Sequence, residues 1–229
     1  MKRKSIFYCE IAFVIGIITL ALGAALMEKA NFGLSMVVAP AYLIHLKLSQ
    51  YLPFYTFGMS EYVFQAVLLL ALSIVVGRFK KRYILSFLTA LLYGLILDGM
   101  MAVVALFPFS GFVWQIVFYV AGMLACTFGV ALLFHTYLPP EAYEMVVKEI
   151  SQKFSFSIDK VKTIYDCSSC FIAIVLSFVF FGFGAFVGVQ WGTILCALVN
   201  GWLIGCIGRL LEKKFDFQDL WQLRSKFNG

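Results

Sequence analysis

Charge is what this 229-residue sequence has least of: Asp, Glu, Lys and Arg make up only 13% of it, against 62% hydrophobic residues. A water-soluble domain of this size carries about 25% charge, so what remains cannot cover a watery surface. Imidazole is also scarce, with His45 and His135 the only two histidines. No second C-x-x-C joins Cys167 and Cys170 to complete a metal site, and no metal or cofactor is expected. There is no G-x-S-x-G, no H-E-x-x-H and no phosphate-cradling loop, so enzymatic activity is not expected. The six cysteines lie in or beside apolar runs and form no secreted disulfide framework. The apolar runs do not alternate in ten-residue segments, which excludes a membrane β-barrel. The N-terminal run is too long for a signal-peptide core and lacks an A-x-A-like cleavage site, so it reads as a retained first helix.

What is present is a series of apolar segments long enough to span a hydrocarbon layer ~30 Å thick. Helices are expected at about 6–27, 59–76, 83–106, 112–134, 157–181 and 190–210. Two shorter pieces, 34–46 (interrupted by Pro40) and 140–152, are too short to cross at 1.5 Å per residue. The second belongs to the one strongly polar stretch, His135 to Asp166, which holds four lysines and five acids. Its Pro139 and Pro140 suit a helix start, and Glu141 suits the positive end of that helix. Ala142, Met145, Val146 and Ile150 make an apolar face. Glu144 and Lys148 are expected to pair on the opposite, solvated face. Ser157 is the expected N-cap of the next helix.

The halves resemble each other. Gly23-Ala-Ala-Leu-Met matches Gly129-Val-Ala-Leu-Leu, and Ala90-Leu-Leu-Tyr-Gly matches Ala197-Leu-Val-Asn-Gly. With six spans and a cytoplasmic N-terminus, all of the 18 Lys and Arg except Lys29 and Lys47 fall on the inner side, as the positive-inside rule requires. The same rule accounts for the +6 net charge and excludes nucleic acid as the partner. Three spans per half make the halves inverted, an arrangement used by transporters with a binding site at the repeat interface. The expected organisation is a first repeat over 1–106, a second over 107–211 and a cytoplasmic amphipathic tail over 212–229.

The segments LPPEAYEMVVKEIS, KVKTIYD and GTILCALVNGWLIG resemble the YczE/YyaS/YitT family of bacterial integral membrane proteins. That resemblance implies a multi-pass plasma-membrane protein and carries no activity or site with it.

Ionisable and polar residues inside apolar helices are costly, and they mark functional sites or buried pairs. Asp98, deep in its helix, is the first candidate for a functional acid. Glu61 and Gln65 lie one turn apart in the first half, like Lys162 and Asp166 in the second. Asp159, Lys162, Thr163, Asp166, Ser169 and Cys170 share one helix face. Tyr93 and Asn200, matched by the repeat, suit neutral hydrogen bonds at the midplane. The set expected to bind a solute is therefore Asp98, Glu61, Gln65, Asp166, Lys162 and Asn200. The leading expectation is an all-α transporter or facilitator of a small solute in the cell membrane. The alternative is a non-transporting accessory protein that docks a partner enzyme or lipid through its tail. Partners are the lipid bilayer and the solute, and association with a second copy or another membrane protein stays open.

Overall fold

A computed structural model describes residues 4–108 and 111–220, without the side chain of Asp159. The chain is all-α apart from one short strand pair. In order, the elements are β1 (Ser5–Tyr8), α1 (Cys9–Ala30), α2 (Ala39–Leu48), α3 (Phe57–Val76), α4 (Lys81–Ala105), α5 (Phe112–Phe134), α6 (Ala142–Phe154), α7 (Ile158–Phe181), α8 (Trp191–Lys214) and β2 (Phe215–Gln218). Among the described residues, the six long helices are apolar and long enough to cross a membrane.

The burial pattern is that of a protein solvated by lipid. On α3 the exposed face is Val63, Val67, Leu70 and Ile74, while Glu61 and Gln65 are wholly buried. On α4 it is Ile84, Leu88, Leu92 and Leu95, with Ser86, Thr89 and Tyr93 turned inwards. A soluble helix presents the reverse arrangement. These apolar outer faces meet the bilayer.

Two inverted three-helix repeats cross at α1 and α5. The backbones touch where Gly16 faces Gly129 and where Gly23 faces Gly122. Gly16 corresponds to Gly122 in the repeat, and Gly23 to Gly129, so each contact maps onto the other. Between them the Cys126 thiol donates to the Leu20 carbonyl at 3.6 Å, a pair 106 residues apart. A pseudo-two-fold axis therefore passes between Leu20 and Cys126 and relates two antiparallel helices. The other packing follows the same symmetry. α1 lies on α4 as α5 lies on α8, and the short helices α2 and α6 each contact both α3 and α7.

Contacts at the helix ends sort the loops by side. β1 and β2 pair in parallel, Ser5 opposite Phe215, which puts the start of α1 beside the end of α8. Lys29 at the end of α1 donates to the Val104 and Phe107 carbonyls at the end of α4, at 3.0 and 2.5 Å. The start of α4 is then on the β-strand side, where Lys80 pairs with Glu149 of α6. The Arg78–Arg82 cluster thus shares a side with both described chain ends, and Lys47 lies opposite. Single cysteines introduced at Arg78 and Lys213, in a background with the native thiols replaced, should be labelled from one membrane face. A cysteine at Lys47 should be labelled from the other. Labelling of positions 78 and 47 from the same face would break this topology.

Four local expectations are corrected. Ser5–Tyr8 is a strand rather than the first turn of α1, because it finds β2 as a hydrogen-bonding partner. Pro40 does not interrupt α2 but sits in its first turn, where its missing N–H costs nothing. Ser157 is the N-cap residue of α7, yet its side chain makes no capping bond. Glu144 does not face water with Lys148: it is 3% exposed and lies 3.8 Å from Lys162 Nζ, while Lys148 sits over the Phe134 ring. The N-terminal half of α6 is buried all round because α3, α4 and α7 enclose it.

Candidate functional site

The carboxylates converge because α6 is inserted among the long helices. Its entry is fixed by the two prolines, which precede the N-cap residue Glu141, so their carbonyls have no helical partners. Ser86 and Thr89 of α4 donate to the Pro140 and Pro139 carbonyls at 2.6 and 2.9 Å. This anchors Glu141 and the start of α6 against the inner face of α4.

Gln65 then joins the two repeats. Its Nε2 donates to Glu61 Oε2 at 3.1 Å and to Glu141 Oε2 at 3.2 Å, and its Oε1 accepts from the Ala142 N–H at 3.0 Å. The Tyr143 hydroxyl donates to Glu61 Oε2 at 2.7 Å. On the other side of α6, Lys162 Nζ lies 3.0 Å from Asp166 Oδ1 and 3.8 Å from Glu144 Oε1. The Tyr165 ring is 5.8 Å from the same ammonium. Glu61, Glu141, Glu144, Lys162 and Asp166 are all buried.

Glu144 and Asp166 thus flank the one buried ammonium, with Glu61 and Glu141 held beside them by Gln65. Among the described residues, Glu61 Oε1, Glu141 Oε1, Glu144 Oε2 and the Tyr93 hydroxyl find no hydrogen-bonding partner. Burial holds the Glu141 carboxyl well above the usual 4.5, and the neighbouring Glu144 and Glu61 push it further the same way.

A cavity of about 30 Å³ lies beside this network, lined by Tyr93, Glu141, Tyr143, Glu144, Lys162 and Asn200, among others. Asn200 accepts from Thr127 at 3.1 Å, so Tyr93 and Asn200, equivalent by the repeat, face one space. A larger cleft of about 240 Å³ runs between α5, α7 and α8 past His135, Lys148, Arg209 and Glu212. Its floor along α8 is open because Gly205 has no neighbour within 4 Å of where a Cβ would stand. Lys162 borders both spaces. Its side chain is the partition between an open, cation-rimmed cleft and an enclosed acidic cavity.

Of the residues expected from sequence, Glu61, Gln65, Lys162, Asp166 and Asn200 are brought together here. Asp98 is not. Its carboxylate accepts from the Gly58 N–H at 2.9 Å and from the Thr56 hydroxyl at 2.8 Å, which caps the start of α3. The Asp98→Asn variant should lose about 1–2 kcal/mol of stability through this cap. Thermal unfolding measures that loss, and a change in central ligand binding with no loss of stability would contradict the capping role. On the α7 stripe, Ser169 and Cys170 are buried with Lys162 and Asp166, whereas Thr163 is exposed. The side chain of Asp159 lies outside the described residues. Cys167 is exposed and Cys170 buried, both as free thiols. Among the described residues, no group of three or more His, Cys, Asp or Glu is placed to hold a metal ion.

Glu141, Glu144, Tyr143 and Tyr165 join this cluster and are not among the residues expected from sequence. Glu141 and Glu144 stand three apart within LPPEAYEMVVKEIS, at the N-cap and in the first turn of α6. The signal was present, but the i,i+4 pairing of Glu144 with Lys148 offered a solvated explanation for it.

The chain belongs to a family of unknown function, DUF6198, whose model matches residues 7–209. The matched span runs from β1 into α8 and contains every residue of the central cluster. No curated protein and no solved structure matches the chain.

Proposed function

We propose that the chain is a transporter or facilitator of a small solute, with its route passing through the buried acidic cluster. The observation that carries this reading is the junction at α6. There Glu144 and Asp166 flank Lys162, and Gln65 holds Glu61 and Glu141 next to them, beside a small cavity that Lys162 borders together with a wider cleft. Purely structural burial of this many acids is unfavourable unless they are paired or protonated. Transporters built from inverted repeats place their binding sites at such a junction of short and long helices. On this reading the chain moves its solute without altering a covalent bond.

The basic loops support a cytoplasmic position for both chain ends, in the cell membrane. The resemblance of its segments to the YczE/YyaS/YitT membrane proteins agrees with that location. The accessory-protein alternative is less favoured, because the start of the tail is already engaged within the chain. β2 pairs with β1, and the Leu220 N–H donates to Glu10 at 3.0 Å.

Stopped-flow light scattering on proteoliposomes, challenged in turn with urea, glycerol, formate, choline and methylammonium, tests the reading. The wild type should accelerate entry of at least one solute over protein-free vesicles, and Glu144→Gln should abolish the difference. Equal rates with and without protein for all five, or an unchanged rate in Glu144→Gln, would remove the route from this cluster.

A further inference from the structure

We propose that the central cavity binds a small primary ammonium ion — ammonium itself or a short alkylammonium — and that Lys162 is the tethered ammonium holding its place. This rests on the cluster being a solute site and names the solute class. The cavity wall is rich in acceptors. Among the described residues, Glu141 Oε1, Glu144 Oε2 and the Tyr93 hydroxyl have no hydrogen-bonding partner, and each belongs to a residue 3% exposed or less. The charged groups facing this centre are Glu61 from α3, Glu141 and Glu144 from the α6 segment, and Lys162 and Asp166 from α7. Net charge there is negative whenever more than one acid is ionised. An anion is repelled, and a neutral solute gains nothing from the excess charge.

Size narrows the class further. The cavity is small, about 30 Å³, so a solute enters it without a full hydration shell and uses the room that Lys162 vacates. An ammonium group brings its own donors and replaces a hydration shell with charge-assisted bonds to carboxylates. The site already houses such a group, for Lys162 Nζ rests between Asp166 and Glu144 near the Tyr165 ring. Aromatic faces attract cations of this kind. Because Lys162 also borders the wider cleft, a turn of its side chain into the cleft frees its place on Glu144 and Asp166 for an incoming ammonium ion.

The full chain in lipid nanodiscs is titrated with methylammonium chloride, and with potassium and tetramethylammonium chlorides at matched ionic strength, while the unfolding temperature and the heat of binding are read. Methylammonium should bind and raise the unfolding temperature in proportion to occupancy, and the other two cations should not. Tyr93→Phe, which keeps the ring, should weaken binding about fivefold, the worth of one hydrogen bond. Lys162→Met should bind methylammonium at least about tenfold tighter, since the tethered competitor is gone. Where Lys162→Met does not fold, the wild type and Tyr93→Phe decide the matter. No binding to the wild type overturns the proposal, even if Lys162→Met binds, because Lys162 is then a permanent counter-ion. Equal binding of potassium overturns it in favour of charge alone. Vesicle transport of a solute other than an amine, with no methylammonium binding, would keep the transporter reading and reject this one.

Discussion

Lys162→Met should destabilise the protein by about 3–5 kcal/mol, the cost of stripping a buried charge of its partner. Met keeps the length and apolar stem of Lys, so the change is one of charge and hydrogen bonding rather than of packing. What it leaves is Asp166 without its 3.0 Å partner and Glu144 without its 3.8 Å partner, both buried, with Glu61 and Glu141 close by. The loss should depend on pH in a defined direction. The Glu141 carboxyl is held above its ordinary 4.5, first by burial and then by Glu144 and Glu61, while Lys162 acts against the rise. A carboxyl whose folded value exceeds its unfolded one costs nothing below about 4.5. It costs progressively more as pH rises towards the folded value. Removing Lys162 raises that folded value further, so the extra cost opens above the wild type's folded value, and the gap between wild type and variant should grow and never shrink as pH rises. The double variant Lys162→Met/Asp166→Asn should recover a large part of the stability, because the acid most directly orphaned is gone. Thermal unfolding of the wild type, Lys162→Met, Asp166→Asn and the double variant, in one detergent across pH 5 to 9, measures this cycle. A gap that shrinks as pH rises, or a double variant no better than Lys162→Met, would show that Lys162 stabilises the fold by packing alone.

Legibility in the sequence divides along a physical line. Span number, order and approximate bounds were readable, because a lipid-facing helix must be apolar over its whole length, and that constraint is local. The inverted repeat was readable as well, since Gly23 and Gly129 are needed at equivalent places on two helices that cross. The centre was only half readable. Glu61, Gln65, Lys162 and Asp166 stood out because they interrupt apolar helices. Glu141 and Glu144 did not, because α6 is polar enough to pass for a surface helix. Its burial comes from α3, α4 and α7 closing around it, which no local pattern encodes. Asp98 misled for the converse reason. An acid in an apolar helix is conspicuous, yet its partners are the Thr56 hydroxyl and the Gly58 N–H, about forty residues away and uncharged. A carboxylate satisfied by backbone and hydroxyl donors leaves no complementary charge in the sequence for a reader to find.

The second large effect is expected far from the acids, at the α1–α5 crossing. A Cβ on Gly23 would stand 2.6 Å from the Cys126 amide nitrogen and from the Gly122 carbonyl oxygen, closer than real atoms approach. Both obstacles are backbone, so relief requires the helices to move apart, which breaks the contact at the pseudo-two-fold axis. Close approach of small residues is how membrane helices gain packing energy when lipid offers no hydrophobic drive, and overpacking a tight contact costs about 1–3 kcal/mol or more. Gly23→Ala should therefore lose at least about 2 kcal/mol, and Gly23→Val should not fold stably. Gly16→Ala should lose less, because its tight neighbours at 3.1 Å include the Leu133 side chain, which can turn aside. Gly99→Ala is the control: nothing lies within 4 Å of its Cβ, and alanine is the better helix former by up to about 1 kcal/mol. Unfolding temperatures of the alanine variants should rank Gly99→Ala above Gly16→Ala above Gly23→Ala. If Gly23→Ala were as stable as Gly99→Ala, α1 and α5 would not be in backbone contact. The two repeats would then have to meet elsewhere.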